Sequence, residues 1–114
     1  MMKDLEHLDV SELIKEEDSE SLKILLKSLC QRKKTLLSLD LSGNLGVNDD
    51  DNLKELQNLI KVCTPLQMLN ISTMEMSSAN CKSMCEFFIS HFKKDWNLNS
   101  TLRVLIWDDD LKAI

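Results

Sequence analysis

The sequence predicts an α/β fold in which about three full repeats and a terminal strand stack into a solenoid. Two observations favour this fold. A six-residue leucine pattern occurs four times, and each of its first three copies is followed by apolar residues at helical spacing. A strand that returns through a helix runs parallel to its neighbour. We therefore expect short parallel strands on a concave face and helices on a convex face.

The strand pattern is clearest in KTLLSLDLSGN, residues 34–44, which places leucine at positions 36, 39 and 41. The same spacing of apolar residues is found in four segments, 5–10, 36–41, 66–71 and 102–107, although the last position holds Val10, Ile71 or Trp107. The first leucines are 31, 30 and 36 residues apart. This spacing predicts repeats that begin near residues 5, 36, 66 and 102 of a single domain, 1–114.

Three amphipathic helices are predicted between the strands, over residues 19–30, 52–63 and 77–92. In the first two, apolar residues recur at i, i+3, i+4 and i+7, which is the spacing of one helix face. Asn52 and Glu55 form a capping-box pattern, which predicts that the second helix begins near Asn52. In the third helix one apolar stripe contains Cys81, Cys85, Phe88 and Phe92.

The repeated pattern resembles the leucine-rich-repeat family, and its length resembles the ribonuclease-inhibitor-like, cytosolic branch of that family. The match is best over residues 35–44, which carry L-x-x-L-x-L-x-x-N and end on Asn44. The segment 99–105 also resembles the way repeats open in innate-immune receptors of the NLR type. The resemblance covers residues 5–110 and implies that Asn44 hydrogen-bonds backbone groups in the turn after its strand. The other units depart from it, since the asparagine position holds Leu13, Met74 and Asp110.

Composition and charge disfavour several classes of function. The chain has 114 residues, 43% of them apolar, and a net charge of −5. This charge would repel nucleic acid, because only short basic clusters at 32–34 and 93–94 oppose it. No apolar run approaches the roughly 18 residues of a membrane span, and the first 18 residues do not read as a secretion signal. We therefore expect a cytoplasmic or nuclear protein, not a secreted one, whose four cysteines are reduced.

Candidate catalytic and metal sites are weak in this sequence. Cys81 and Cys85, with His91 six residues further, could supply zinc ligands, but both thiols share an apolar stripe and are expected in the core. A six-residue separation does not place His91 beside Cys85 on a helix, which disfavours a cysteine–histidine nucleophile. The acidic runs 49–51 and 108–110 lack EF-hand spacing and are typical of solvated turns. We predict no enzyme activity, no metal ligands and no cofactor.

The candidate binding surface lies at the strand positions between the leucines. Alternate strand residues point to opposite faces, so stacking the four units aligns these positions in columns. One column reads His7, Ser38, Met68, Val104, and the next reads Asp9, Asp40, Asn70, Ile106. The predicted partner-binding residues on the concave face are His7, Asp9, Asp40, Met68, Asn70, Val104 and Ile106.

This surface predicts a non-enzymatic protein-interaction module or adaptor. An acidic patch at Asp9 and Asp40 adjoins an apolar patch at Val104 and Ile106, which suits another protein with a basic-hydrophobic segment. Three alternatives stay open at this point. The positions could be merely solvated, the chain could be an assembly subunit or a fragment of a larger repeat protein using an uncapped C-terminal edge, or it could be a cysteine-based metal-binding regulator. The sequence leaves the oligomeric state open.

Overall fold

The structure is a computed structural model that describes residues 6–16, 18–95, 102 and 104–107, the side chains of 92–95 excepted. Predictions for Leu5, for the segment 99–101, for the side chain of Phe92 and for the acidic run 108–110 lie outside these residues. Strands and helices alternate along the described chain in the order β1 (His7–Asp9), α1 (Ser19–Cys30), β2 (Ser38–Asp40), α2 (Asp50–Val62), β3 (Met68–Asn70), α3 (Ser78–Asp95) and β4 (Val104–Ile106).

The four strands form one parallel sheet whose spatial order follows the chain, β1-β2-β3-β4. Each strand is three residues long and pairs with the next over its whole length. A parallel pair needs a crossover connection, and α1, α2 and α3 lie in the three crossovers. The predicted α/β class and the parallel strands at the four leucine patterns are therefore confirmed.

The helices confirm the predicted elements but correct the limits of α2 and α3. Helix α1 has the bounds that the sequence predicts, whereas α3 continues to Asp95 rather than ending near Phe92. The capping-box prediction for α2 is wrong. This helix begins at Asp50, because the side chain of Asp49 accepts the backbone N–H of Asp51 at 2.9 Å. Asn52 instead lies buried in the first turn and donates to the carbonyls of Ser19 and Gly46.

The hydrophobic core lies between the sheet and the helices and is mostly leucine. The middle residues of β2 and β3, Leu39 and Leu69, are fully buried, while the residues on either side of them are only half-buried. This alternation means that one face of the sheet packs on the helices and the other does not. Each buried leucine contributes about 1.5–3 kcal/mol to folding. The helix residues that fill the same core include Leu22, Leu26, Leu29, Leu56, Leu59, Ile60, Cys81 and Met84.

Asn44 hydrogen-bonds backbone in the turn after its strand, as the resemblance implies, and it also bonds the turn of the first unit. Its side-chain carbonyl accepts the N–H groups of Leu13 and Ile14 at 3.0 and 2.8 Å. Its side-chain amide donates to the carbonyls of Val10 and Leu41, both at 2.9 Å. Asn44 is fully buried, so the polar backbone of both turns is satisfied inside the core.

The turn after the strand keeps one backbone form although its sequence changes. Glu12, Gly43 and Thr73 follow the first three strands at equivalent positions, and all three have left-handed backbone angles, with φ of 54°, 74° and 53°. Only glycine adopts this region without a steric penalty. A Cβ atom on Gly43 would also lie 2.6 Å from Cγ of Glu12. The stacking of the units therefore imposes the turn on residues that do not favour it.

Candidate functional site

The structure brings all seven predicted binding residues onto one face of the sheet. Their strand pairing aligns His7 with Ser38, Met68 and Val104, and aligns Asp9 with Asp40, Asn70 and Ile106. Both columns flank the central column, whose members Leu39 and Leu69 are buried against the helices. We call this surface the strand face, and define it by the outward residues His7, Asp9, Ser38, Asp40, Met68, Asn70, Val104 and Ile106.

A repeated hydrogen-bond motif holds the side chains of Asp9, Asp40 and Asn70 in place on the strand face. The Oδ1 atoms of Asp9, Asp40 and Asn70 each accept the backbone N–H of the serine two residues later, at 2.9–3.0 Å. Ser42 also donates its hydroxyl to Asp40 at 2.6 Å, and Ser72 donates its hydroxyl to Asn70 at 2.8 Å. The side chains are thus fixed before any partner arrives. The leucine pattern does not predict these hydrogen bonds, although the spacing Asp/Asn-x-Ser in three successive units indicates them.

The two carboxylates of the strand face form no ion pair with another described residue. The ion pair found in that part of the chain joins Lys23 to Asp51 on the helices, with 3.9 Å between Nζ and Oδ2. Hydrogen bonds from the hydroxyl and the backbone N–H of Ser11 hold the pKa of Asp9 below its ordinary value. Asp9 therefore stays ionised at neutral pH, and it lies beside Asp40 on the neighbouring strand, about 4.8 Å away.

The other end of the strand face is apolar and exposed. Val104 and Ile106 on β4 are 48% and 40% exposed, and Met68 on β3 is half-buried beside them. Leu105, at the position where Leu39 and Leu69 are buried, is itself 39% exposed. The residues 104–106 of β4 therefore present three large apolar side chains to solvent.

The two cysteines predicted in the core differ in their burial. Cys81 is fully buried, which confirms its prediction, whereas Cys85 is half-buried and lies outside the core cluster, so its prediction is wrong. Burial, with a smaller contribution from Cys30, raises the pKa of Cys63 to about 11, so its thiolate is scarce at neutral pH. His91 stacks on Phe87 with ring centroids 5.5 Å apart. The described residues contain no group of three or more potential ligands around one metal position.

A second surface feature is a groove of about 760 Å³ between α2 and α3. Gln57 and Lys61 form one wall, and the other wall includes Glu86, Phe87 and His91. The groove mixes one aromatic side chain with amide, hydroxyl and opposite charges, and it contains none of the predicted binding residues. Sequence periodicity gives no sign of it, because it depends on how far α3 stands from α2.

Comparisons with known proteins add no identification to this geometry. No protein-family model, no curated protein and no solved structure matches the chain. Among the described helices, none has the length and apolar character needed to cross a membrane. Any function must therefore be argued from the strand face and from the rest of the described surface.

Proposed function

We propose that the chain is a leucine-rich-repeat solenoid of the ribonuclease-inhibitor-like class and that it acts as a non-enzymatic protein-interaction module or adaptor. The repeated leucine pattern, the in-register parallel strands and the Asn44 turn support this class. The partner is another protein, which binds through the strand face. A fold hosts many functions, so the choice of function depends on this surface.

The observation that carries the proposal is the composition of the strand face. Two carboxylates that form no ion pair with the described residues, Asp9 and Asp40, lie on the same sheet as the exposed side chains of Val104 and Ile106. Protein interfaces combine an apolar centre with charges that select the partner. A face of this kind, fixed by the sheet and by the serine hydrogen bonds, loses little conformational freedom when it binds.

The proposed location is the cytoplasm or the nucleus. None of the four cysteines, Cys30, Cys63, Cys81 and Cys85, forms a disulfide bond, and these compartments keep thiols reduced. An adaptor that binds other proteins through a preformed face needs no cofactor, and we propose none.

The proposal is tested by affinity capture from native extract, read by mass spectrometry. The baits are the wild-type chain, the variant Asp9→Lys/Asp40→Lys and the control Glu16→Lys/Glu86→Lys. The control makes the same change in net charge at exposed positions away from the strand face. We expect a protein that the wild type and the control retain and that the strand-face variant loses, because two new cations repel its basic groups.

Circular dichroism and urea unfolding of all three baits exclude a folding defect as the cause of lost binding. The proposal is wrong if the strand-face variant, with an unchanged unfolding curve, recovers the same proteins in the same amounts as the wild type.

A further inference from the structure

The strand face changes its chemistry in one direction, from β1 to β4. In one column of the strand face, Asp9 and Asp40 occupy the first two strands, the neutral Asn70 follows on the third, and Ile106 lies on the fourth. The parallel column changes from His7 and Ser38 to Met68 and Val104 over the same four strands. The face is thus acidic over β1–β2 and increasingly apolar over β3–β4.

The acidic half is oriented and open to a cation. Asp9 and Asp40 each accept the serine N–H with Oδ1, and Asp40 accepts the Ser42 hydroxyl with the same oxygen, so that its second oxygen has no hydrogen-bond partner among the described residues. Like charges on adjacent strands repel each other, and a cation placed over both carboxylates removes that repulsion. A basic side chain of the partner therefore gains more binding free energy at this pair of carboxylates than it would gain at an isolated surface carboxylate.

The apolar half favours aliphatic side chains on the partner. Val104 and Ile106 are exposed by nearly half of their surface, and Met68 extends the patch toward β2. Covering such a patch removes apolar surface from water. A charged side chain placed there would instead be desolvated over apolar side chains, which offer it no counter-charge.

The strand spacing selects the conformation of the partner. Adjacent strands lie about 4.8 Å apart. On a helix, the side chains of one stripe are on average 3.5 residues apart and advance about 5.3 Å each, so a helix lying across the strands offers one side chain per strand. In an extended segment, side chains on one side advance about 6.6 Å, and after three strands they are more than one strand out of step.

Resting on the proposed function, we propose that the strand face binds an amphipathic helix that crosses the four strands. The helix carries basic residues at i and i+3, which lie over β1 and β2. It carries aliphatic residues at i+7 and i+10, which lie over β3 and β4. The order of the stripe, two basic residues and then two aliphatic ones, copies the order of the face from Asp9 to Ile106. This partner chemistry is narrower than a basic-hydrophobic segment in general, since it fixes spacing, order and conformation.

Two fluorescein-labelled, alanine-based helical peptides of identical composition test the proposal. The first carries Arg, Arg, Leu and Leu at i, i+3, i+7 and i+10, and the second carries Arg, Leu, Arg and Leu at the same positions. Binding is measured by fluorescence anisotropy at low ionic strength, where charge pairs are least screened. We expect the first peptide to bind the wild-type chain about tenfold more tightly, because each misplaced residue loses a surface charge pair or an apolar contact.

The variant Asp9→Asn/Asp40→Asn identifies the role of charge with little change in shape. Asn70 makes the same bonds to Ser72 that Asp40 makes to Ser42, so asparagine fits these positions. We expect the variant to bind the first peptide about tenfold more weakly, while the control Glu16→Gln/Glu86→Gln binds it as the wild type does. The variant Val104→Ser/Ile106→Ser should bind the first peptide more weakly by a similar factor.

Equal binding of the two peptides, or unchanged binding by the asparagine variant, would overturn the proposal. That failure is distinguishable from failure of the proposed function. A native protein that is lost from the Asp9→Lys/Asp40→Lys bait but is retained by Asp9→Asn/Asp40→Asn would show a binding face that does not use this charge pattern.

Discussion

The side chain of Asn44 ties the turn of the first unit to the turn of the second. Its amide makes four hydrogen bonds to backbone groups of Val10, Leu13, Ile14 and Leu41 while fully buried. The first unit has Leu13 at the equivalent position, and the third has the fully buried Met74. The polar connection to the third unit is made instead by Asn48, which accepts from Ser77 and Asn80 and donates to Glu75.

Replacing Asn44 should destabilise the whole fold. Asn44→Leu keeps the approximate volume but leaves several backbone groups of two turns unpaired, and we expect a loss of about 2 kcal/mol or more in the free energy of unfolding. Urea unfolding measures the change. The control Asn58→Leu, at an exposed position on α2, should stay within about 0.5 kcal/mol of the wild type. If both substitutions cost the same, Asn44 does not join the units in this way.

The resemblance to leucine-rich repeats implies backbone hydrogen bonds for Asn44, because this residue completes the nine-residue pattern. The role of Asn48 could not be predicted, since its partners lie 27–32 residues away, in a unit that lacks the asparagine of the nine-residue pattern. The serines of the strand face are an intermediate case. Their spacing from Asp9, Asp40 and Asn70 is visible in the sequence, but their hydrogen bonds appear only once the turn is built.

At the scale of elements, strands were easier to predict than helix ends. The repeated leucine pattern fixes the strands directly, because each strand must place its central leucine in the core. For α2 the sequence analysis predicts a cap at Asn52, although aspartate and asparagine are nearly equal in capping preference and Asp49 lies three residues earlier. The structure selects Asp49, because burial of Asn52 against Ser19 and Gly46 leaves it unable to cap. Local propensity could not decide between them, since the packing of α1 on α2 does.

The choice of cap can be measured. Asp49→Ala removes the acceptor for the N–H of Asp51, and we expect α2 and the fold to lose about 1 kcal/mol in the free energy of unfolding. Asp49→Asn keeps a capping oxygen, and its free energy of unfolding should fall much less. Chemical unfolding of both variants, compared at neutral pH, makes the test. Equal losses for the two substitutions would mean that the side chain of Asp49 does not cap the helix.

At the scale of the whole molecule, sequence reasoning located the face but not its shape. The columns follow from a period of two along the strands and a shared pattern between units, so all seven candidate residues lie together as predicted. The exposure of Leu105 and the groove between α2 and α3 depend on packing between units. No local pattern encodes them. That groove is also the main rival surface, on the other side of the molecule from the sheet.

The central claim is that a partner protein contacts the strand face rather than the helices, and site-specific photo-crosslinking tests it most directly. A benzophenone side chain is placed at position 38, in the middle of the strand face, or at position 54, exposed on α2. Each protein is irradiated in native extract, and adducts are identified by mass spectrometry. The account predicts one partner crosslinked from position 38 and not from position 54. A partner crosslinked from position 54 alone would contradict it and would move the binding site to the helices.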